Sequence, residues 1–340
     1  MSIPTLHKPN TEAPFSFGTP VSELYRDPSG YDADDDLAAA VRVALLLGMP
    51  LLLTGEPGCG KTSVAHWLAW KLGLGTPLVH NIKSTTLGRE LLYEFDELAR
   101  FRDSQAGEKQ PTAHYLRLNA LGLAILFSGT PETIVSDDSP LTYSDLASRQ
   151  SNSDLPAVRF AQRYVVLIDE LDKAPRDTPN DLLLEIEHMR FRIGELNGWI
   201  NGTPEHRPIV VITSNSEKSL PEPFLRRCVF HYIKTSDDRR RRQIVARRQH
   251  PFAARGPLFE QAMRLFDRLH DSLGRPPGTA ELLAWLTVLE EQAAHTQAQL
   301  AQGQQLQSLK GLVQQTLGTL AKTKEDLDRA GAAVLAEGLS

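Results

Sequence analysis

Leu51-Leu52-Leu53-Thr54-Gly55-Glu56-Pro57-Gly58-Cys59-Gly60-Lys61-Thr62 is an apolar run that enters a G-x-x-x-x-G-K-T turn, and Val64 to Leu72 then keep a helical pattern closed by Gly73. Glycines let such a turn curl so that successive backbone N–H groups face inward, and the helix after it adds the positive end of its dipole; together these cradle phosphate oxygens. The stretch Gly55, Glu56, Pro57, Gly58, Cys59, Gly60, Lys61, Thr62 and Ser63 therefore reads as a nucleotide phosphate site. Lys61 is placed to reach the β- and γ-phosphates, and the Thr62 hydroxyl to ligate Mg²⁺. The eight-residue pattern also arises by chance, and the strand before it with the helix after it supply the context it needs.

Two further strands end in polar residues that suit the same chemistry. Tyr164-Val165-Val166-Leu167-Ile168 is a continuous apolar run, as a strand buried in a parallel sheet requires, and it ends in Asp169-Glu170. Asp169 is expected to hold Mg²⁺ through water, and Glu170 to orient and polarise a water attacking the γ-phosphate. Pro208-Ile209-Val210-Val211-Ile212-Thr213-Ser214-Asn215 finishes in a polar triplet, with Asn215 where a side chain holds that water beside Glu170. Ser and Asn also favour helix caps and turns, the plainer reading of the triplet. Beyond them, Arg226-Arg227 follow Leu220-Pro221-Glu222-Pro223-Phe224-Leu225, and a guanidinium there suits charge on a transferring phosphoryl group. Whether such an arginine serves its own nucleotide or a neighbour's is open at this level.

From about Asp35 to about Asp328 the chain resembles the AAA+ ATPases, and within them the MoxR-like and dynein-related branch. The resemblance is carried by Pro50 to Gly58 at the phosphate loop, by Leu91-Leu92-Tyr93-Glu94-Phe95-Asp96, by Ile168-Asp169-Glu170-Leu171-Asp172-Lys173-Ala174-Pro175-Arg176, and by Leu220 to Cys228. It implies an α/β fold: a P-loop NTPase core with a parallel sheet between helices, followed by a smaller α-helical lid. It also implies an ATPase with ATP and Mg²⁺ as cofactors, working as a homo-oligomeric ring, usually a hexamer, with each nucleotide at a subunit interface. Carried over residue by residue, Lys61 and Thr62 bind nucleotide and Mg²⁺, Asp169 and Glu170 form Walker B, and Asn215 is the first sensor. Arg227 aligns best with an arginine finger acting in trans, with Arg226 as the alternate. Many relatives carry a second sensing Arg in the lid just after a Pro. Here the sequence is Gly274-Arg275-Pro276-Pro277-Gly278-Thr279, so Gly278 stands near the expected position and Arg275 is displaced. Arg275 is held as a candidate second sensor.

Composition narrows the classes. The 340 residues are 41% hydrophobic and 23% charged with a net charge of −5, which suits two domains. No run approaches the ~20 apolar residues that span a bilayer, and Met1-Ser2-Ile3-Pro4-Thr5 lacks a secretory pattern, so a cytoplasmic location is expected. Two cysteines, Cys59 and Cys228, suggest neither a disulfide framework nor a thiolate metal site. The ten histidines form no H-E-x-x-H, and no G-x-S-x-G elbow occurs, so no second catalytic centre is visible.

Domains are expected at 1–30 (a mobile N-terminal arm rich in Pro, Ser and Thr), 31–234 (the α/β domain), 235–330 (the helical lid) and 331–340 (a tail). Asp34-Asp35-Asp36 precede a helical pattern from Leu37 to Leu47, where acids favour a helix start. Leu78 to Ile82 reads as the next strand. An insert at 84–163 is expected to be helical over Leu87 to Arg102 and Tyr115 to Phe127, with Ser128 to Asp154 as its mobile half. A second insert, 191–207, carries Asn197-Gly198 and Asn201-Gly202 as turn signals and reads as a hairpin. Trp199 either projects from it toward a partner or packs beneath it. The one basic cluster, Arg239 to Arg242 with Arg247 and Arg248, reads as a solvated lid helix paired with acids across a ring interface rather than a nucleic-acid footprint. Ala293 to Lys324 reads as one or two amphipathic helices.

The leading expectation is an oligomeric MoxR-like ATPase that remodels or assembles a protein partner; the resemblance suggests one with a von Willebrand A domain. Two alternatives are a nucleic-acid-directed motor similar to the McrB-like restriction NTPases, for which GTP in place of ATP is open, and a nucleotide-dependent scaffold or switch in a defence system.

Overall fold

A computed structural model of the chain describes residues 27–108, 110–136, 139–150, 159–215, 218–301 and 309–336. These fall into two compact units: one of residues 33–55 and 61–233, the other of residues from 234 onward together with the loop 56–60 and the described residues before 33. The arm foreseen at 1–30 lies almost wholly outside the described residues.

The larger unit begins with α1 (Asp35–Leu47), whose N-cap Asp34 accepts a hydrogen bond from Leu37 N at 2.8 Å; Asp35 and Asp36 complete the acidic first turn. Then come β1 (Leu51–Gly55), α2 (Lys61–Lys71) and β2 (Leu78–Asn81). The insert follows as β3 (Tyr93–Phe95), α3 (Glu97–Ala106), β4 (Leu116–Leu118), α4 (Ala120–Ser128), β5 (Ile134–Ser136), β6 (Ser139–Thr142) and α5 (Tyr143–Ser148). The unit closes with β7 (Val165–Asp169), α6 (Thr178–Asp181), α7 (Leu183–His188), β8 (Arg190–Ile193), β9 (Gly198–Asn201), β10 (Ile209–Ser214), α8 (Glu222–Leu225) and β11 (Val229–Ile233). A five-stranded sheet, in the order β11-β1-β10-β7-β2, is parallel throughout. Its central strands are Leu, Val and Ile runs buried on both faces, which is why they read as continuous apolar segments.

The insert departs from its expected form. Tyr93–Phe95 and Leu116–Leu118 are not helical: they pair as an antiparallel ribbon with Tyr93 opposite Leu118, after short 3-10 turns at Gly88–Leu91 and Thr112–Tyr115, and the α-helices start at Glu97 and Ala120. Tyr93 is buried while Glu94 is exposed, so alternation across a pleat overrides the helical spacing of the leucines. Asp96 then caps α3 by accepting from Ala99 N at 2.8 Å. Much of the stretch expected to be mobile is packed. α5 is capped by Thr142, and Tyr143 and Leu146 are fully buried. The Tyr143 hydroxyl accepts from Asn201 N at 2.6 Å and donates to Asn201 O at 3.2 Å, which ties α5 to β9. Residues 151–154 of that stretch lie outside the described residues.

The second insert is the hairpin of β8 and β9, with Phe191 opposite Ile200 and both buried. Trp199 points to the other side, 46% exposed, with the Arg190 guanidinium 5.3 Å from its ring centre.

The smaller unit is helical: α9 (Asp238–Arg247), α10 (Pro257–Ser272), α11 (Thr279–Ala301), α12 (Leu309–Thr316) and α13 (Lys324–Ala336). Phe252, Phe266, Leu269, Trp285 and Leu286 fill its core, and Trp285 Nε1 donates to Thr316 Oγ1 at 2.9 Å. α13 runs past the boundary set at 330, with Val334 fully buried, so the first part of the expected tail belongs to this unit. Four arginines of the basic cluster find acids within the chain. Arg240 and Arg247 both pair with Asp32 at 2.7 Å, Arg242 with Asp238 and Glu260 at 2.8 Å, and Arg241 with Asp267.

Candidate active site

Because β1, β10 and β7 run parallel in register, their carboxyl ends emerge side by side: Thr54 lies beside Ser214, and Ile212 beside Ile168. This edge is where open α/β sheets bind ligands. Lys61 opens α2, is buried, and its Nζ donates to Gly55 O at 2.7 Å. Thr62 and Ser63 follow in the same first turn, and Thr62 Oγ1 stands 3.2 Å from both carboxylate oxygens of Asp169.

Glu170 is held in a left-handed backbone conformation, φ 60 and ψ 48, which costs a non-glycine residue roughly 1–3 kcal/mol. Its surroundings over-determine that geometry. The Thr213 hydroxyl accepts from Glu170 N at 2.9 Å and donates to Asp169 Oδ1 at 2.5 Å. Lys173 N donates to Glu170 O at 2.9 Å, closing the turn. The buried Asp172 carboxylate accepts from Asn215 N at 3.2 Å. The Glu170 side chain is held at both oxygens: Asn215 Nδ2 donates to Oε1 at 3.1 Å and Lys173 Nζ to Oε2 at 2.5 Å. Lys61, Thr62, Asp169, Glu170 and Asn215 are thus brought to one edge. Thr213 and Lys173 were not singled out from the sequence. The signal for Thr213 was a hydroxyl in a buried apolar strand, one residue past the Ile212 that pairs with Ile168.

Arg226 and Arg227 are not part of this group. They precede β11, whose Val229 lies beside Leu51 and whose Ile233 lies beside Gly55, so the arginines stand at the amino edge of the sheet. At ~3.3 Å per strand residue, the two edges are roughly 15 Å apart. Arg227 Nε pairs with Glu187 Oε2 at 3.3 Å, and the 76% exposed Arg226 pairs with Glu222. A cavity of about 440 Å³ opens there, lined by Leu47, Pro50, Phe224, Arg227 and Cys228. Burial pushes the Cys228 thiol up to about 12.

Within the smaller unit, the loop 56–60 faces the turn before α11. Glu56 Oε2 accepts from Thr235 Oγ1 at 2.7 Å, and Cys59 N donates to Glu56 O at 3.3 Å. A cavity of about 530 Å³ is lined by Glu56, Cys59, Thr235, His270, Arg275 and Lys322. Arg275 is exposed, and its backbone N–H donates to Asp326 Oδ2 at 3.3 Å. At Gly278, near the expected second-sensor position, a Cβ would lie 3.0 Å from Pro57 O and 3.2 Å from Gly58 Cα, so no arginine fits there without displacing the loop.

The oxygen donors of Thr62 and Asp169 suit a hard cation such as Mg²⁺, which takes one or two carboxylates and completes its shell with water and phosphate. Among the described residues no three His, Cys, Asp or Glu side chains gather as a metal cage. No described helix is long and apolar enough to cross a membrane.

A parallel sheet whose first strand runs through a glycine-rich G-x-x-x-x-G-K-T turn into a helix defines a P-loop nucleotide-binding protein. Within that class, residues 51–235, more than half of the 340, match the ATPase family associated with various cellular activities (AAA), and the chain belongs to that family. A Pyrococcus furiosus protein named "Putative adenylate kinase" is 30% identical over 151 residues, 40% of this chain and 82% of that protein. The crystal structure of NtrX from Brucella abortus in complex with ADP is similar with a TM-score of 0.40 and 14% identity, over 79% of this chain. The match covers 53% of the NtrX chain, about half its length.

Proposed function

We propose that this AAA-family chain binds ATP with Mg²⁺ and hydrolyses it, and that it does so as a ring, hexameric on the MoxR-like reading, to remodel or assemble a protein partner. The observation that carries the hydrolytic part is Glu170, whose backbone is held left-handed and whose carboxylate meets Asn215 at 3.1 Å. In this reading Lys61 exchanges its neutral partner Gly55 O for β- and γ-phosphate oxygens, a charge-assisted and stronger bond. Thr62 and Asp169 would hold Mg²⁺, which neutralises phosphate charge when bound. Glu170 then takes a proton from the attacking water while Asn215 fixes that water's position.

Arg227, with Arg226 as the alternate, supplies charge stabilisation in this reading. Its place at the amino edge of the sheet supports service to a neighbouring copy's nucleotide, through head-to-tail contacts of the kind that close into rings. The MoxR-like branch, and a partner bearing a von Willebrand A domain, rest on the motifs around Asp169 and Arg227. A McrB-like motor using GTP has less support, because Arg240, Arg241, Arg242 and Arg247 are already paired with carboxylates.

The test is the solution mass of Glu170→Gln protein across a concentration series, with and without ATP and Mg²⁺. A nucleotide-driven rise to six copies is expected. A monomer throughout would sink the self-assembling ring. Stimulation of ATP turnover by DNA would favour the motor, and normal function of the hydrolysis-dead variant would favour a switch.

A further inference from the structure

We propose that Glu281 sets how tightly the phosphate loop holds nucleotide, acting through its charge from outside the loop; the inference rests on reading that loop as the nucleotide site. Glu281 lies in the first turn of α11, and its Oε2 accepts from Gly278 N at 3.1 Å. A Cβ built on Gly58 would lie only 2.9 Å from the same oxygen, so the carboxylate is wedged against the loop. Ala280 N also donates to Gly58 O at 3.4 Å. The close approach exists because Gly58 and Gly278 both lack side chains: Gly58 has φ +78, and a Cβ on Gly278 would meet Pro57 O at 3.0 Å.

A fixed negative charge therefore stands one residue's thickness from the loop whose N–H groups would face a polyphosphate. That separation is well inside the ~8–10 Å screening length of ordinary buffers, so the repulsion acts on bound nucleotide. An acid in a helix's first turn also favours the helix dipole. That helix role alone leaves nucleotide affinity unchanged when the charge is removed.

The experiment is calorimetric titration of ADP into the full chain and into Glu281→Gln, at low and high salt. The glutamine oxygen still accepts from Gly278 N, so the substitution isolates the charge. The Gln variant is expected to bind ADP about fivefold more tightly, with the gain shrinking at high salt. Should that variant fail to fold, Glu281→Ala is expected to shift affinity in the same direction. Affinity that is unchanged or weaker in a folded Glu281 variant overturns the inference alone. No ADP binding by the wild-type chain overturns the nucleotide reading and this inference with it.

Discussion

Thr213 ties together the two acidic residues on which the proposed chemistry depends, with one hydroxyl serving both the Asp169 carboxylate and the backbone N–H of Glu170. Thr213→Val keeps the shape and removes both bonds, leaving Glu170 N without its partner in a buried site. A loss of about 1–3 kcal/mol is expected in denaturant unfolding, with a fall in ATP turnover of tenfold or more as the left-handed turn loosens. Lys61→Ala and Glu170→Gln should separate binding from chemistry. The first is expected to lose nucleotide affinity, and the second to keep ATP while losing turnover; equal binding loss in both contradicts the assigned roles. Mixing Glu170→Gln with Arg227→Ala subunits adds a test of geometry, since restored turnover requires the arginine of one copy to serve another. Lys61, Thr62, Asp169, Glu170 and Asn215 were legible because each sits at a fixed offset from an apolar strand. Thr213 and Lys173 were not, because their roles depend on strand register and on a turn that closes through space.

At the scale of elements, four strands of the sheet were readable from their apolar runs and the edge strand β11 was not, while the insert was misread in two places. Tyr93–Phe95 lies inside a stretch expected to be helical yet forms a strand, because pairing with Leu116–Leu118 buries Tyr93 and leaves Glu94 exposed. The polar stretch around Tyr143 hides three buried residues, Tyr143, Leu146 and Ala147, in a short helix whose start is capped by Thr142 and Asp145. Composition averages over such a segment and misses a short helix with a single apolar face. Tyr143→Phe checks the assignment: it strips the hydroxyl from both backbone groups of Asn201, and a loss of about 1–3 kcal/mol in thermal or chemical unfolding is expected. A neutral outcome would mean that α5 and the β8–β9 hairpin are not joined there.

Each unit also contains a histidine whose burial pushes its pKa below the usual value, His80 in the larger and His250 in the smaller. His250 Nδ1 accepts from Phe252 N at 3.2 Å, which requires an unprotonated nitrogen. Such groups resist protonation in the fold and take up protons more readily when it opens. Their stabilisation is present above the unfolded value of about 6.5 and is lost as pH falls below it. Thermal midpoints are therefore expected to drop between pH 7 and 5, and His250→Gln to flatten that drop. Cys228 carries the opposite sign. With its thiol pushed up to about 12, it favours the fold less as pH rises above about 9, and it should resist alkylation at pH 8.

The sheet's polarity leaves one half of the proposed machinery at each edge, with Lys61 and Glu170 at the carboxyl edge and Arg227 at the amino edge. On the head-to-tail reading proposed above, an open arc of any length then has one terminal nucleotide site lacking a neighbour's arginine, whereas a closed ring has none. Turnover per subunit would rise with protein concentration in steps of completed junctions and gain its last increment only at closure. One terminal defect would cost a short arc a large share of its rate and a long arc very little.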